Sequence, residues 1–367
     1  MKQRFIHDKA KGAVILLLAA VMSLAFLACT KEGDIIYEPD PADQPSVTPL
    51  VSVIYDPGAL GDMTYNDLIY EGVERAAVNN GLSTRQLSPR TKEEGLRYLS
   101  ALIDQMSNTT DTTRQLLIVA GSSYDEYLRA NNKRLEANPN ADLLYFETTQ
   151  PLEGKGSSIH IRFYGAMYEA GAITPFFTPE VLLVAANPHD SGATDAVAGF
   201  QDGFLTDYVN PDRGEKKIFR EYLSDEAGSG YTIADSTALQ MMLSQPWSIY
   251  TRMIIPVCGG SSAVFRRLVE NISSYAVMGI DKVNMSTSCS YSAVKHTDDV
   301  VEHCIGQWLS AEGLPKHQSL GLADGYTELV FHPANTSMWI LYDSAVPEDV
   351  RQTIHEEAIR KEAEYEQ

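Results

Sequence analysis

The chain of 367 residues is short of cysteine, of basic charge and of long apolar runs. Its four cysteines contain no Cys-x-x-Cys pair, which excludes a disulfide scaffold and a cysteine-rich zinc module. Lys and Arg number 29 against 49 Asp and Glu, a formal net charge of −20. Such a balance excludes wrapping nucleic acid, or docking on an anionic membrane surface, by charge. No apolar run reaches the roughly 20 residues of a transmembrane helix. No period of about 20–50 residues repeats, which excludes a solenoid. What remains is 44% apolar and 9% aromatic. That is a globular composition, long enough for two or three domains each with its own core.

The first 28 residues read as a secretory signal. Lys2, Arg4, Lys9 and Lys11 precede an apolar run from Ala13 to Leu27, and the segment ends on Ala28 before Cys29. Cys29 stands where a bacterial lipoprotein signal places its lipid-modified cysteine; plain secretion is the alternative. Removing residues 1–28, which carry four basic and one acidic side chain, leaves 339 residues with a charge of −23. Residues 29–49 hold Pro39, Pro41, Pro45 and Pro49 among acidic and small residues, and are expected to form a disordered tether. A lipid anchor and a tether would place the protein in the cell envelope, on the periplasmic side or at the cell surface, and the acidic residues soon after Cys29 lead to the expectation of a Gram-negative bacterium. Cys258, Cys289 and Cys304 sit in or beside apolar runs and read as buried free thiols.

From residue 50 onward strands and helices alternate. Leu50–Tyr55, Leu116–Ala120, Leu143–Phe146, Val181–Ala186, Ile218–Leu223, Met253–Val257 and Tyr275–Ile280 are short, apolar and rich in β-branched residues. Between them lie helical patterns such as Ala166–Phe177, Ala193–Tyr208, Val264–Leu268 and Ala293–Trp308. Thr64 with Asp67, and Thr91 with Glu94, read as capping boxes. The charged stretch from Val346 to Glu364 reads as a surface helix closing the fold. This alternation predicts α/β architecture with doubly wound parallel sheets.

In such sheets the site lies beyond the carboxyl ends of the strands. Four post-strand loops, Asp56–Asn66, Gly121–Asp125, Cys258–Ser262 and Asp281–Ser288, bring Asp62, Tyr65, Asn66, Tyr124 and Asp281 into candidate positions. Aromatic rings beside carboxylates and an amide suit a flat, neutral, hydroxylated ligand. For each carboxylate a helix cap or a solvated turn is the competing reading. Catalysis finds little support. His189-Asp190-Ser191 are neighbours that rarely point at one another, and there is no Gly-x-Ser-x-Gly elbow. Cys258-Gly259-Gly260-Ser261-Ser262 lacks the lysine of a phosphate loop. The eight histidines include no His-Glu-x-x-His, and His296 and His303 are too far apart for a metal pair. No catalytic residue, metal or cofactor is expected.

Seven pieces in order resemble the basic-membrane-protein family, the PnrA-like purine nucleoside receptors of ABC transporters. They are Asp56-Pro57-Gly58 with Gly61-Asp62-Met63-Thr64-Tyr65-Asn66 and Glu71-Gly72; Leu117–Tyr124; Tyr168-Glu169-Ala170-Gly171; Ala198-Gly199-Phe200 with Gly203; Gly259-Gly260-Ser261 with Val264-Phe265; Met278-Gly279-Ile280-Asp281; and Thr287-Ser288. The resemblance implies a type I periplasmic-binding-protein fold of two lobes joined by crossover strands. Lobe 1 would comprise 50–160 plus about 286–312, and lobe 2 would comprise 161–285 plus about 313–367. It also implies a membrane-anchored solute-binding protein, a monomer, that captures a ligand between its lobes for an ABC permease. Asp62 and Asn66 would contact a base or orient its loop. Tyr65 and Tyr124 would stack on it, Gly260 would let the backbone approach, and Asp281 would accept ribose hydroxyls.

The sequence also departs from that pattern. Met63 replaces one lysine; the other falls at Tyr291, with Lys295 nearby. Tyr222–Gly230 offers Asp225 and Glu226 where the family has an aromatic. The ligand is therefore a purine nucleoside, a modified nucleoside, a free base or another small polar compound. A sensor or interaction module on the same scaffold, and a nucleoside hydrolase, are the alternatives. Phe163 or Tyr164 would line the cleft or pack in the core.

Overall fold

The computed structural model describes residues 35–37, 48–108, 112–208, 214–249, 252–272, 274–283, 289–331 and 346–366. The expected signal segment, Cys29 and the Thr287-Ser288 pair lie outside them.

The first sheet is built from β1 (Ile35–Tyr37), β2 (Leu50–Tyr55), β3 (Ser83–Leu87), β4 (Gln115–Ala120), β5 (Ala141–Phe146), β6 (Ser157–Ile161) and β12 (His317–Leu320), in the order β1-β3-β2-β4-β5-β6-β12. All pairs are parallel except β1 with β3. Three residues of the segment expected to be a tether thus form an antiparallel edge strand. Alternate residues of the central strands serve two cores. Val51, Val53, Tyr55, Leu116, Ile118 and Ala120 face α1 (Tyr65–Asn80) and α8 (Thr297–Leu309). Ile54, Leu117 and Val119 face α2 (Lys92–Asn108) on the other side. A strand covered on both faces must be apolar throughout, which is why LVSVIY and QLLIVA show no polar alternation.

The second sheet runs β13 (Thr327–Phe331), β11 (Cys289–Lys295), β10 (Tyr275–Asp281), β9 (Arg252–Val257), β7 (Glu180–Ala185) and β8 (Lys217–Tyr222). It is parallel apart from β11 with β13. One face packs on α4 (Tyr164–Ile173) and α5 (Ser191–Leu205), the other on α6 (Asp235–Ser244) and α7 (Ser261–Glu270). The two-lobed type I periplasmic-binding fold follows from these two sheets.

Three passages connect the lobes: Arg162–Phe163 between β6 and α4, His296 between β11 and α8, and 321–326 between β12 and β13. The second and third lie later than the 286 and 313 expected from the sequence. Ala293–Trp308 is not one helix. Ala293 to Lys295 complete β11, and the helix begins at Thr297, where Asp298 and Asp299 supply an acidic first turn. The last helix, α9 (Glu348–Tyr365), packs on α4 and buries Ile354, Ala358 and Glu362. Glu362 accepts the Gly165 and Leu322 amides at 2.8 and 2.9 Å, and Arg162 pairs with Glu362, Glu366 and Asp324. The final helix is thereby fastened to two of the passages. Among the described residues, no helix is long and apolar enough to cross a membrane.

Candidate functional site

A cavity of about 660 Å³ lies between the lobes, lined by the residues that follow the carboxyl ends of β2, β4, β5, β7, β8, β9, β10 and β11. Its first wall is the loop after β2. Gly58 and Gly61 take φ of +66° and +87°, which a side chain would resist, and fold that loop back onto α1. Asp62 caps the helix: its carboxylate accepts the Thr64 and Asn66 amides at 2.8 and 3.0 Å and the Asn66 side-chain amide at 2.8 Å. The expected capping box is thus displaced. Thr64 makes no capping bond, and Asp67 reaches back to the Gly61 and Met63 amides instead. The second box holds on one side only: Thr91 accepts from the Glu94 amide, and Glu94 accepts from the Arg90 amide.

Of the sequence-predicted site residues, Asp62, Tyr65, Asn66, Gly260 and Asp281 line the cavity. Tyr124 and Tyr291 do not. The short 3₁₀ turn Ser122–Tyr124 carries the Tyr124 ring back against the α2 face of the first sheet, where its hydroxyl donates to the Tyr55 carbonyl at 2.9 Å. Tyr291 is buried in the second core, its hydroxyl bonded to Thr174 at 2.5 Å. Lys295, four residues on, reaches the cavity. In a strand that spacing is about 13 Å along the same face, from mid-core to the carboxyl edge. Phe163 lines the cavity, whereas Tyr164 is buried in the core and stacks on the exposed Tyr365, 4.4 Å between centroids.

Several site residues carry no motif. Glu147, directly after β5, has φ +59°; Met63 and Asp281 have +57° and +64°. These are the three non-glycine residues with positive φ among the described residues; Glu147 and Asp281 line the cavity, and Met63 is exposed on the loop after β2. Such backbone costs on the order of 1–3 kcal/mol and persists where surrounding structure imposes it. Glu147 Oε1 meets Lys295 Nζ at 2.9 Å. The ammonium also lies 5.0 Å from the Phe163 ring centre and 5.8 Å from that of Tyr65. Burial alone would pull Lys295 down, but Glu147 and Asp281 outweigh it and hold the lysine above its usual range. Asp281 is pushed up to about 6 by burial, against the attraction of Lys295. Asp56 is pushed up to about 7 by burial, and Asp190 adds to the rise.

Asp190 ties the far wall together. It accepts from the Tyr231 hydroxyl at 2.6 Å, the Asn187 amide at 2.6 Å and the Gly228 backbone, and from Ser122 of the other lobe at 2.6 Å. Tyr231 rests on Gly259, where a Cβ would stand 2.9 Å from its ring, and supplies an aromatic one residue beyond the stretch expected to lack it. The lobes also meet through Ser191 and the Glu147 carbonyl at 3.0 Å, and through Lys282 and Glu71 at 2.8 Å. Three buried atoms of the cavity-lining residues have no partner among the described residues: Tyr65 Oη, Asn66 Oδ1 and Glu147 Oε2.

Among the described residues, the pieces that could have suggested catalysis are engaged elsewhere. His189 Nε2 sits 2.9 Å from the Asp225 carbonyl and Ser191 donates to Glu147, so the triplet points three ways. Ser261 and Ser262 donate to backbone carbonyls. The Cys258 thiol is pushed up to about 12 by burial. Among the described residues one group, His296 with Asp298 and Asp299, has metal-ligand character; its members are engaged with Glu328 and Arg75.

No family model matches the chain. Over 71 residues it is 30% identical to an uncharacterized lipoprotein of Pyrococcus abyssi and, equally, to one of Pyrococcus horikoshii. The match spans 16% of the length of those curated relatives and 19% of this chain. Among solved structures, a transcriptional activator of the comK gene from Bacillus halodurans superposes with a TM-score of 0.62 at 18% identity, over 86% of this chain and 97% of that one. An ABC transporter solute-binding protein from Aeropyrum pernix gives 0.61 at 17%, over 86% of both. A Caulobacter myo-inositol binding protein gives 0.55 at 13%, over 78% and 95%. These likenesses establish the fold.

Proposed function

We propose that this chain is an extracytoplasmic solute-binding protein, anchored to a membrane through Cys29, that captures a small neutral hydroxylated ligand between its lobes and presents it to an ABC-type permease. The ligand that fits the site best is a purine nucleoside. The observation that carries the reading is the interlobe cavity, whose size suits a compact ring compound. It combines the Tyr65, Phe163 and Tyr231 rings with buried carboxylates that still have capacity to accept. The rings offer stacking of roughly 1–3 kcal/mol per base. The carboxylates offer charge-assisted bonds of about 1.5–3 kcal/mol each. On this reading binding and release involve no covalent step.

A sugar or polyol is the second reading, favoured by the myo-inositol receptor of similar fold. A thermal-shift screen of the protein starting at residue 30 separates the two. A ligand at about 100 times its dissociation constant adds about 2.7 kcal/mol. A shift with purine nucleosides alone supports the first reading, a shift with sugars alone the second, and no shift with either removes both. Adenosine should outperform its monophosphate, because a charge of −23 repels a phosphate. Pull-down from membranes with and without ligand distinguishes a permease partner from a sensor partner.

A further inference from the structure

Glu362 is a carboxylate only 2% exposed on an otherwise charged and largely exposed helix, and it takes no part in lining the cavity. We propose that Glu362 is a positioning residue for lobe movement: its carboxylate clamps the first and third passages together, and α9 acts as a strap that holds the lobes at the separation in this structure. The inference goes beyond the solute-binding reading, because it concerns the hinge of the fold and names no ligand.

The two oxygens of this carboxylate serve different passages. Oε1 accepts the Gly165 amide at 2.8 Å, where the first passage enters α4. Oε2 accepts the Leu322 amide at 2.9 Å, where the third passage leaves β12. Arg162 of the first passage lies 3.8 Å from Oε2 and reaches on to Asp324 of the third and, at 2.9 Å, to Glu366 beside Glu362. Both passages make room for the carboxylate: a Cβ at Gly165 would stand 2.8 Å from Oε1, and one at Gly321 would collide with Oε2. The passages are also bonded to one another. The Arg162 amide donates to the Leu320 carbonyl at 2.7 Å, and the His296 amide of the second passage donates to the Tyr326 carbonyl of the third at 2.9 Å. A hinge opens by changes of φ and ψ at such residues. Here those changes must break bonds to Glu362 and leave a buried charge short of partners. The rest of α9 is anchored in the second lobe, by Ile354 and Ala358 in its core and by His355 on Glu169 of α4. On the solute-binding reading, lobes already held at this separation leave less binding free energy to be lost in closing them.

The test is small-angle X-ray scattering of the ligand-free protein starting at residue 30, which keeps every described residue, with thermal melts of the same samples. Glu362→Gln, Arg162→Gln and His355→Gln are compared with the wild type. The wild-type curve should fit the lobe separation of this structure. Glu362→Gln and Arg162→Gln should each widen the fitted separation by more than about 2 Å. His355→Gln, which loosens α9 within the second lobe, should lower the melting temperature and leave the separation unchanged. A lower melting temperature with an unmoved separation in Glu362→Gln marks a merely structural carboxylate and overturns the inference. Equal widening in His355→Gln overturns it too, as does a wild type already wider than this structure. Arg162→Gln decides alone if Glu362→Gln does not fold. No ligand enters the measurement, so the inference can fail while the solute-binding reading stands.

Discussion

Asp56 and Asp281 are two buried carboxyls held above their ordinary range by burial. The sign of their effect on stability is fixed. A carboxyl whose folded value is raised binds its proton more tightly when folded, so its contribution is present below the unfolded value near 4. That contribution is lost as pH climbs through the folded value near 7 for Asp56. The unliganded protein should therefore lose stability between about pH 4 and 7. Asp56→Asn should flatten that loss by a few kcal/mol, measured as melting temperature against pH; an equal slope in both proteins would sink the assignment. Asp281→Ala should weaken the ligand at least roughly tenfold while the far-ultraviolet spectrum stays native. Asp281 and Glu147 differed in legibility. Asp281 ended an obvious strand and matched a motif. Glu147 ended one too, but what marks it is a left-handed backbone and an ion pair with Lys295, 148 residues away, and neither is written in local spacing.

Helices α4 and α5 explain why fragments of the sequence looked like a binding family. Gly171, Gly199 and Gly203 are places where a Cβ would run into the backbone of Phe200, Tyr164 and Tyr168. The Tyr-x-Ala-Gly and Ala-Gly-Phe-x-x-Gly pieces are thus the close approach of two helices, a requirement of the scaffold and not of the ligand. Gly203→Ala should cost about 1–3 kcal/mol by overpacking. Gly306→Ala, where a Cβ meets nothing within 4 Å, should gain up to about 1 kcal/mol; urea melts of the pair test both signs. Strand and helix positions were legible because apolar periodicity reports burial directly. β3, β6, β12 and β13 were not, since STRQL, SSIHI, HQSL and TELVF carry polar residues suited to sheet edges and lobe junctions. The merging of β11 with α8 came from reading Ala293–Trp308 by helical period alone, when Lys295 and His296 mark the break.

At the scale of the whole molecule, a buried ion pair joins the lobes beside the passages. His160 Nε2 on β6 lies 2.8 Å from Asp195 Oδ2 on α5, joining the first sheet to the second lobe, with both side chains almost fully buried. Burial opposes the imidazolium, but Asp195 prevails and raises His160 above its ordinary value. Stability from this pair is present below the unfolded histidine value near 6.5 and is lost as pH rises through the folded one. Glu147 and Lys295 also face it. His160→Gln should therefore destabilise more at pH 5.5 than at pH 8.5 in parallel thermal melts; a pH-independent difference would mean that the pair contributes no charge. Lobe membership was the least legible part of the chain, because an exchange of β11 and β12 between sheets alters no local pattern.

Cys258, Cys289 and Cys304 lie unbridged and buried, with burial pushing their thiols up to about 12, 11 and 12. Glu71 and Lys282, by contrast, are exposed and face each other from opposite lobes. A protein starting after Cys29 therefore offers alkylating dyes no accessible native thiol. A Glu71→Cys substitution would carry an environment-sensitive fluorophore at a contact between the lobes, an optical reporter of any change in their separation.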